Sequence, residues 1–114
     1  MNNTTNLSYL KSISDNDNLF VEEMINTFLE QTPDLIAEMK QLVREKNCFQ
    51  VGRMAHRMKP SLTFMGMIDG QRLIKDIEYY SEDPGNCDKI IKLISMLQRE
   101  CEIAYNELSK KYIA

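Results

Sequence analysis

The sequence has no tryptophan, a single histidine, three prolines, three cysteines and four glycines among 114 residues. So few chain breakers leave little room for the many turns of a sheet protein. Leu, Ile, Met, Glu, Lys and Gln, which lose little rotamer freedom in a helix, are abundant instead. With one histidine and no C-x-x-C pair, the common zinc sites are excluded, and no glycine-rich loop is present to hold nucleotide phosphates. No apolar run nears the roughly eighteen residues of a membrane span. The start, "MNNTTNLSYL", lacks both the basic end and the apolar stretch of a signal peptide. Runs of like charge are also missing and the net charge is -3, so nucleic acid is not an expected partner. Cys48, Cys87 and Cys101, an odd number at unrelated spacings, read as buried thiols in a reducing compartment. We expect a cytoplasmic monomer with no membrane attachment.

The chain is short enough for one domain, spanning residues 1–114. "LSYLKSI" at 7–13 predicts a short helix ended by the turn-forming "SDND". Leu19, Phe20, Met24, Phe28 and Leu29 share one helical face of a segment ending near Gln31. Thr32 is suited to an N-cap and Pro33 to the first position of a separate helix. That helix carries Leu35, Ile36, Met39, Leu42 and Val43 inward and stops near Lys46. Asn47, with Gln50 completing a weak capping box, opens the next, and Gly66 closes it. Asp69 and Gly70 begin a helix that buries Leu73, Ile74 and Ile77. After the turn "EDPGN", residues Ile90, Ile94, Leu97, Cys101, Ala104, Leu108 and Tyr112 keep a three-four spacing. The expected fold is all-α: an antiparallel up-down four-helix bundle over roughly 33–113, with one or two additional N-terminal helices over roughly 7–31 lying across one end.

The one histidine lies in "AHRMKPSLTFMG". With Met58 at the centre of the buried stripe and about 100° per residue, Val51, Met54, Ala55, Leu62 and Met65 fall within roughly 60° of it. His56 falls about 160° away, on the outer face. Phe49, Gly52, Pro60, Thr63 and Met67 are expected beside it, with Arg53 and Lys59 on the flanks. Apolar groups where a solvated face should be polar mark a contact site. None of the 17 acidic residues falls between Lys46 and Ile68, whereas Lys46, Arg53, Arg57 and Lys59 do, which suits an anionic ligand or partner. An exposed imidazole is nucleophilic at its ring nitrogen, and Lys59, one turn on, can offset the charge of a phosphoryl group attached there. No carboxylate near in sequence orients the ring, and no Ser or Cys forms a dyad with it. A nucleophile without machinery reads as a carrier whose catalytic groups belong to a partner. An enzyme acting on a small molecule is not expected, because a packed bundle offers no acid–base pair.

These residues resemble the histidine-containing phosphotransfer (HPt) domains of bacterial phosphorelays, with the motif A-H-x-L-K-G-[SA]-[SA]-x-x-[LIM]-G. Ala55, His56, Met58, Lys59, Ser61, Met65 and Gly66 fit it. The resemblance runs upstream through "FVEEMINTFLEQTPDLIAEMKQLV" and downstream through "LIKDIEYYSED". It implies that His56 takes a phosphoryl group from an aspartyl phosphate on a receiver domain and passes it to another, with Lys59 as the phosphate-side cation. Receiver domains of response regulators or hybrid kinases are the implied partners. Phe49, Gly52, Arg53, Pro60, Thr63 and Met67 would form the docking face. No cofactor or metal is expected on this chain, and Mg2+ is expected on the receiver. The Met1 start leads us to expect a separate protein rather than a piece of a hybrid kinase. Pro60 stands where the family has glycine, and Leu62 and Thr63 are bulkier than the small residues usual nearby. Lacking an N–H for the His56 carbonyl, Pro60 should bend the helix at the site. The alternative is a helical adaptor that binds a partner through the same face without being phosphorylated.

Overall fold

The computed structural model describes residues 4–112, with side chains up to Lys110, and the expected inward placement of Tyr112 lies outside them. Among the described residues every regular element is a helix: α1 (Ser8–Ile13), α2 (Asn18–Arg44), α3 (Cys48–Phe64), α4 (Ile68–Tyr80) and α5 (Cys87–Tyr112), with a short 3-10 turn at Pro84–Asn86. Helices α2 to α5 pack in a ring, α2 on α3, α3 on α4, α4 on α5 and α5 back on α2. They form a bundle of 44 × 26 × 24 Å. Its axis is filled by Ile25, Met39, Met58, Leu62, Ile74, Ile77, Ile90, Ile94 and Leu97, each essentially inaccessible to solvent. Burial of such side chains at about 25 cal/mol per Å2 is the main term holding the bundle together.

Local signals account for most helix ends. After α1, Asp15 and Asn16 adopt left-handed backbone with φ of 55° and 60°, which these residues tolerate better than most. Asp17 then caps α2, its carboxylate accepting from the Leu19 and Phe20 amides. Helix α2 ends at Arg44, and Lys46, two residues on, is also left-handed at φ 59°. Asn47 does precede α3, but its side chain makes no cap hydrogen bond, so the box with Gln50 is not formed. Gly66, at φ 66°, closes α3: its amide donates to the Thr63 carbonyl and the Met67 amide to the Leu62 carbonyl.

Three expectations need correction. Thr32 and Pro33 do not start a new helix, because α2 runs unbroken through them and Thr32 is buried. Val21, Ile25, Phe28, Thr32, Ile36, Met39 and Val43 form one continuous buried stripe. Packing that whole stripe outweighs the cost of about 3 kcal/mol for a proline inside a helix. The bundle therefore begins at Asn18 rather than near residue 33, and α1 is the single additional N-terminal helix. Because the stripe passes through Val21 and Ile25, Leu19 and Phe20 turn outward, against expectation. Finally, Cys48 and Cys87 are not free thiols but a disulfide, with Cα atoms 6.0 Å apart. Their separation of 39 residues gave no sign that the starts of α3 and α5 lie side by side. Cys101 alone is a buried free thiol, pushed up to about 12 by burial and then by Glu100 and Glu102.

The N-terminal segment is fastened across the end of the bundle that holds the α3–α4 turn. The Asn6 amide donates to the Met65 carbonyl at 3.0 Å. Any Cβ at Gly66 would lie 2.0 Å from the Asn6 carbonyl oxygen, so this turn needs glycine for space as well as for backbone. Tyr9 stacks on Phe64 with ring centroids 6.1 Å apart. The Thr4 and Thr5 amides and the Thr5 hydroxyl donate to the Glu107 carboxylate of α5. Burial raises the Glu107 pKa, but these hydrogen bonds outweigh it and hold the carboxyl below its ordinary value.

Two outcomes follow. Pro33→Ala should stabilise the protein by about 1–3 kcal/mol in urea unfolding, since it removes a proline from a helix interior; a proline at a helix start would give almost no change. Glu107 contributes stability above the ordinary carboxylate pKa, and this is lost as pH falls through its lowered folded value. Glu107→Gln should therefore be less stable than the wild type at neutral pH. The difference should shrink as pH drops below about 4, which unfolding curves across that range will show.

Candidate functional site

Helix α3 places Val51, Met54, Ala55, Met58 and Leu62 in the core, as the period required. His56 therefore projects outward, its side chain 71% exposed, with Lys59 half-exposed one turn on. The structure adds a third residue that the sequence reading missed. Glu78 of α4 sets Oε2 3.2 Å from Nδ1 of His56 and Oε1 3.2 Å from Nζ of Lys59. Its position follows from α4: Leu73, Ile74 and Ile77 are buried, which leaves the next residue at the edge of the helix facing α3. Oε1 is shielded from water and has no aligned hydrogen-bond donor, so its compensation is the ammonium of Lys59. Glu78 stands 22 positions from His56, too far for any local spacing rule to connect them.

Gly52 determines how close the two helices come. It lies one turn before His56 on the same side of α3, yet it is buried rather than exposed. A Cβ there would stand 1.9 Å from Oγ and 2.6 Å from Cβ of Ser81. Ser81, at the end of α4, is itself buried and donates its hydroxyl to the Glu78 carbonyl at 2.7 Å. The absent side chain at Gly52 thus admits the end of α4, and with it the carboxylate that meets His56. Gly52 is a helix contact that also lines a hollow beside His56.

Met67 is the other departure. Helix α3 stops at Phe64, so the helical period cannot be carried to residue 67. Met67 is instead the N-cap residue of α4, with its side chain fully buried. Phe49 (61% exposed), Arg53 and Pro60 do lie on the outer face. Thr63 is half-buried at its margin, its hydroxyl bonded to the Lys59 carbonyl at 3.0 Å. Pro60 sits within α3 and brings no N–H to the carbonyl of His56. Beside His56 a shallow hollow of about 310 Å3 is walled by Phe49, Arg53 and Arg57 of α3 on one side and by Glu78, Ser81 and Glu82 on the other. Among the described residues no group of three or more His, Cys, Asp or Glu is placed to hold a metal ion. No described helix is long and apolar enough to cross a membrane.

The arrangement has a definite chemical meaning. An ionised carboxylate accepts hydrogen bonds and cannot donate, so the Nδ1 facing Glu78 carries the ring proton. The lone pair then resides on Nε2. In compared proteins, the family model for the Hpt domain matches residues 23–102. Neither the curated proteins nor the solved structures gave a match. Hpt domains are helical phosphotransfer carriers of two-component phosphorelays and interact there with receiver domains. The matched span runs from within α2 through most of α5 and includes His56, Lys59 and Glu78; this chain belongs to the Hpt domain family.

Proposed function

We propose that this chain is a phosphorelay intermediate that accepts a phosphoryl group on Nε2 of His56 from the aspartyl phosphate of a receiver domain and passes it to another. The observation that carries this reading is the contact between Glu78 and Nδ1. It leaves Nε2 as an exposed nucleophile of fixed tautomer. Attack by Nε2 on phosphorus forms the N–P bond while the acyl P–O bond breaks, and the electron pair departs with the receiver's carboxylate. The Nδ1 proton stays between the ring and Glu78, whose negative charge offsets the positive charge the imidazole gains. Lys59, half-exposed and paired with Glu78, turns toward the phosphoryl oxygens as they arrive. The reverse step needs the same groups, because N–P cleavage returns the pair to Nε2. Little covalent work is left to the protein beyond positioning and charge, as in phosphoryl transfer generally. In this reading Mg2+ is supplied on the receiver side and no cofactor on this chain.

Phe49, Arg53 and Pro60 form the docking face, with Thr63 at its edge. Arg53 and Arg57 beside the hollow give it a positive side suited to an acidic partner. An adaptor that only binds would have no use for a carboxylate pinned against its histidine, which favours the carrier.

Incubation with phosphorylated receivers, followed by intact mass under non-acidic conditions, tests this. His56→Gln should give no acid-labile adduct. Lys59→Ala and Glu78→Ala should each accept phosphate roughly ten- to a hundredfold more slowly, since a charge-assisted contact is worth about 1.5–3 kcal/mol. Glu78→Gln should fall between Glu78→Ala and the wild type, because its amide oxygen can still accept from Nδ1. Phe49→Asp should weaken receiver binding without unfolding the bundle. If a receiver binds the wild type and none phosphorylates it, the adaptor takes the carrier's place.

A further inference from the structure

The Cys48–Cys87 disulfide closes a covalent loop around α3 and α4, the two helices that carry His56, Lys59 and Glu78. Cys48 is the first residue of α3, directly before Phe49 on the wall of the His56 hollow. Cys87 is the first residue of α5 and follows the segment of Ser81, Glu82 and the 3-10 turn, of which Ser81 and Glu82 form the opposite wall. The bond therefore joins the two sides of the hollow at one end. Beyond Ser81, which is buried against Gly52, the segment is tied mainly to its own helix: the Ser81, Glu82 and Asp83 amides and the Asn86 side-chain amide donate back into α4, and the Gly85 and Asn86 amides close local turns on Asp83. Residues 82 to 85 are all exposed.

We propose that Cys48–Cys87 is a reversible thiol–disulfide site that controls partner docking at the His56 face. This rests on the carrier reading for the identity of the partner, a receiver domain. A thiolate of a dithiol reductant reaches Cys87, which is partly exposed, rather than Cys48, which is buried. Its sulfur bonds to Sγ of Cys87, the protein S–S bond breaks, and Cys48 leaves as a thiolate and takes up a proton. The reductant's second thiolate then displaces Cys87 in the same way. Two electrons have passed to the protein and the reductant is left as its own disulfide. Cys101, buried in the core, takes no part. In the reduced state the segment from Ser81 to Asn86 loses its covalent tie to α3, and the wall it supplies to the hollow loosens.

The test compares the full chain oxidised and reduced with dithiothreitol. Alkylation under denaturing, non-reducing conditions should label one cysteine in the first state and three in the second. Amide exchange at residues 81–87 should rise on reduction, with the middle of α2 unchanged. The rate of transfer from a phosphorylated receiver should fall by about fivefold or more, receiver binding should weaken, and a saturating receiver should shift the disulfide's equilibrium with glutathione by the ratio of its dissociation constants for the two states, as linkage requires. The double variant Cys48→Ser, Cys87→Ser should behave as the reduced protein in both buffers, while Cys101→Ser keeps the response. Three labelled thiols after oxidation, equal exchange in the two states, or equal transfer and equal receiver binding in the two states, would overturn the proposal. If exchange responds to redox state but no receiver transfers in either, the carrier reading fails. Redox-dependent binding of a receiver then upholds the switch, and redox-independent binding or none overturns it.

Discussion

At Gly52 a hydrogen in place of a side chain lets Ser81 rest directly against α3. From that contact follow the spacing of α3 and α4, the reach of Glu78 to Nδ1 and the pairing of Lys59 with the same carboxylate. Even a methyl group would have to push α4 outward or turn Ser81 out of its buried place. The arrangement at His56 therefore depends on a packing position one turn away along α3. It also explains why a glycine on an outward-looking helix position is buried: the neighbouring helix covers it.

The charge balance of the site differs from what a list of its basic residues suggests. Lys46, Arg53, Arg57 and Lys59 make the segment around His56 strongly positive in sequence. In three dimensions α4 brings Glu78 into the middle of that group, and Glu82 to the rim of the hollow. One carboxylate faces two cationic or proton-bearing partners. It can hold the imidazole in one tautomer while keeping Lys59 nearby and loosely engaged. Arg53 and Arg57 stand at the rim of that hollow, and Lys59 is half-exposed one turn beyond His56.

What was legible in the sequence is what depends on neighbours along one helix. The burial of Val51, Met54, Ala55, Met58 and Leu62, and hence the exposure of His56, follows from the period alone. The "SDND" turn and the closing role of Gly66 follow from backbone preferences. The helical class followed from the scarcity of breakers. What was not legible depends on which helices meet. Pro33 has the local signature of a helix start, and only the long buried stripe on both sides shows that it is not one. Met67 continued the face of α3 on paper, but the chain had already turned at Gly66. Gly52, Glu78 and the cysteine pair become meaningful only once α4 and the start of α5 lie beside α3.

The cross-link between Cys48 and Cys87 also divides the chain mechanically. Tension applied to the two ends of the oxidised protein passes from α2 into Cys48, across the sulfur bridge, and out through α5. The stretch between the two cysteines, which lie 39 positions apart, bears none of that load. Fully drawn out, the chain would be shorter than its residue count suggests by about 130 Å, at 3.3–3.6 Å per residue. The helices that carry His56 and Glu78 thus form a slack enclosure, insulated from any pull on the termini, for as long as the bond stays closed.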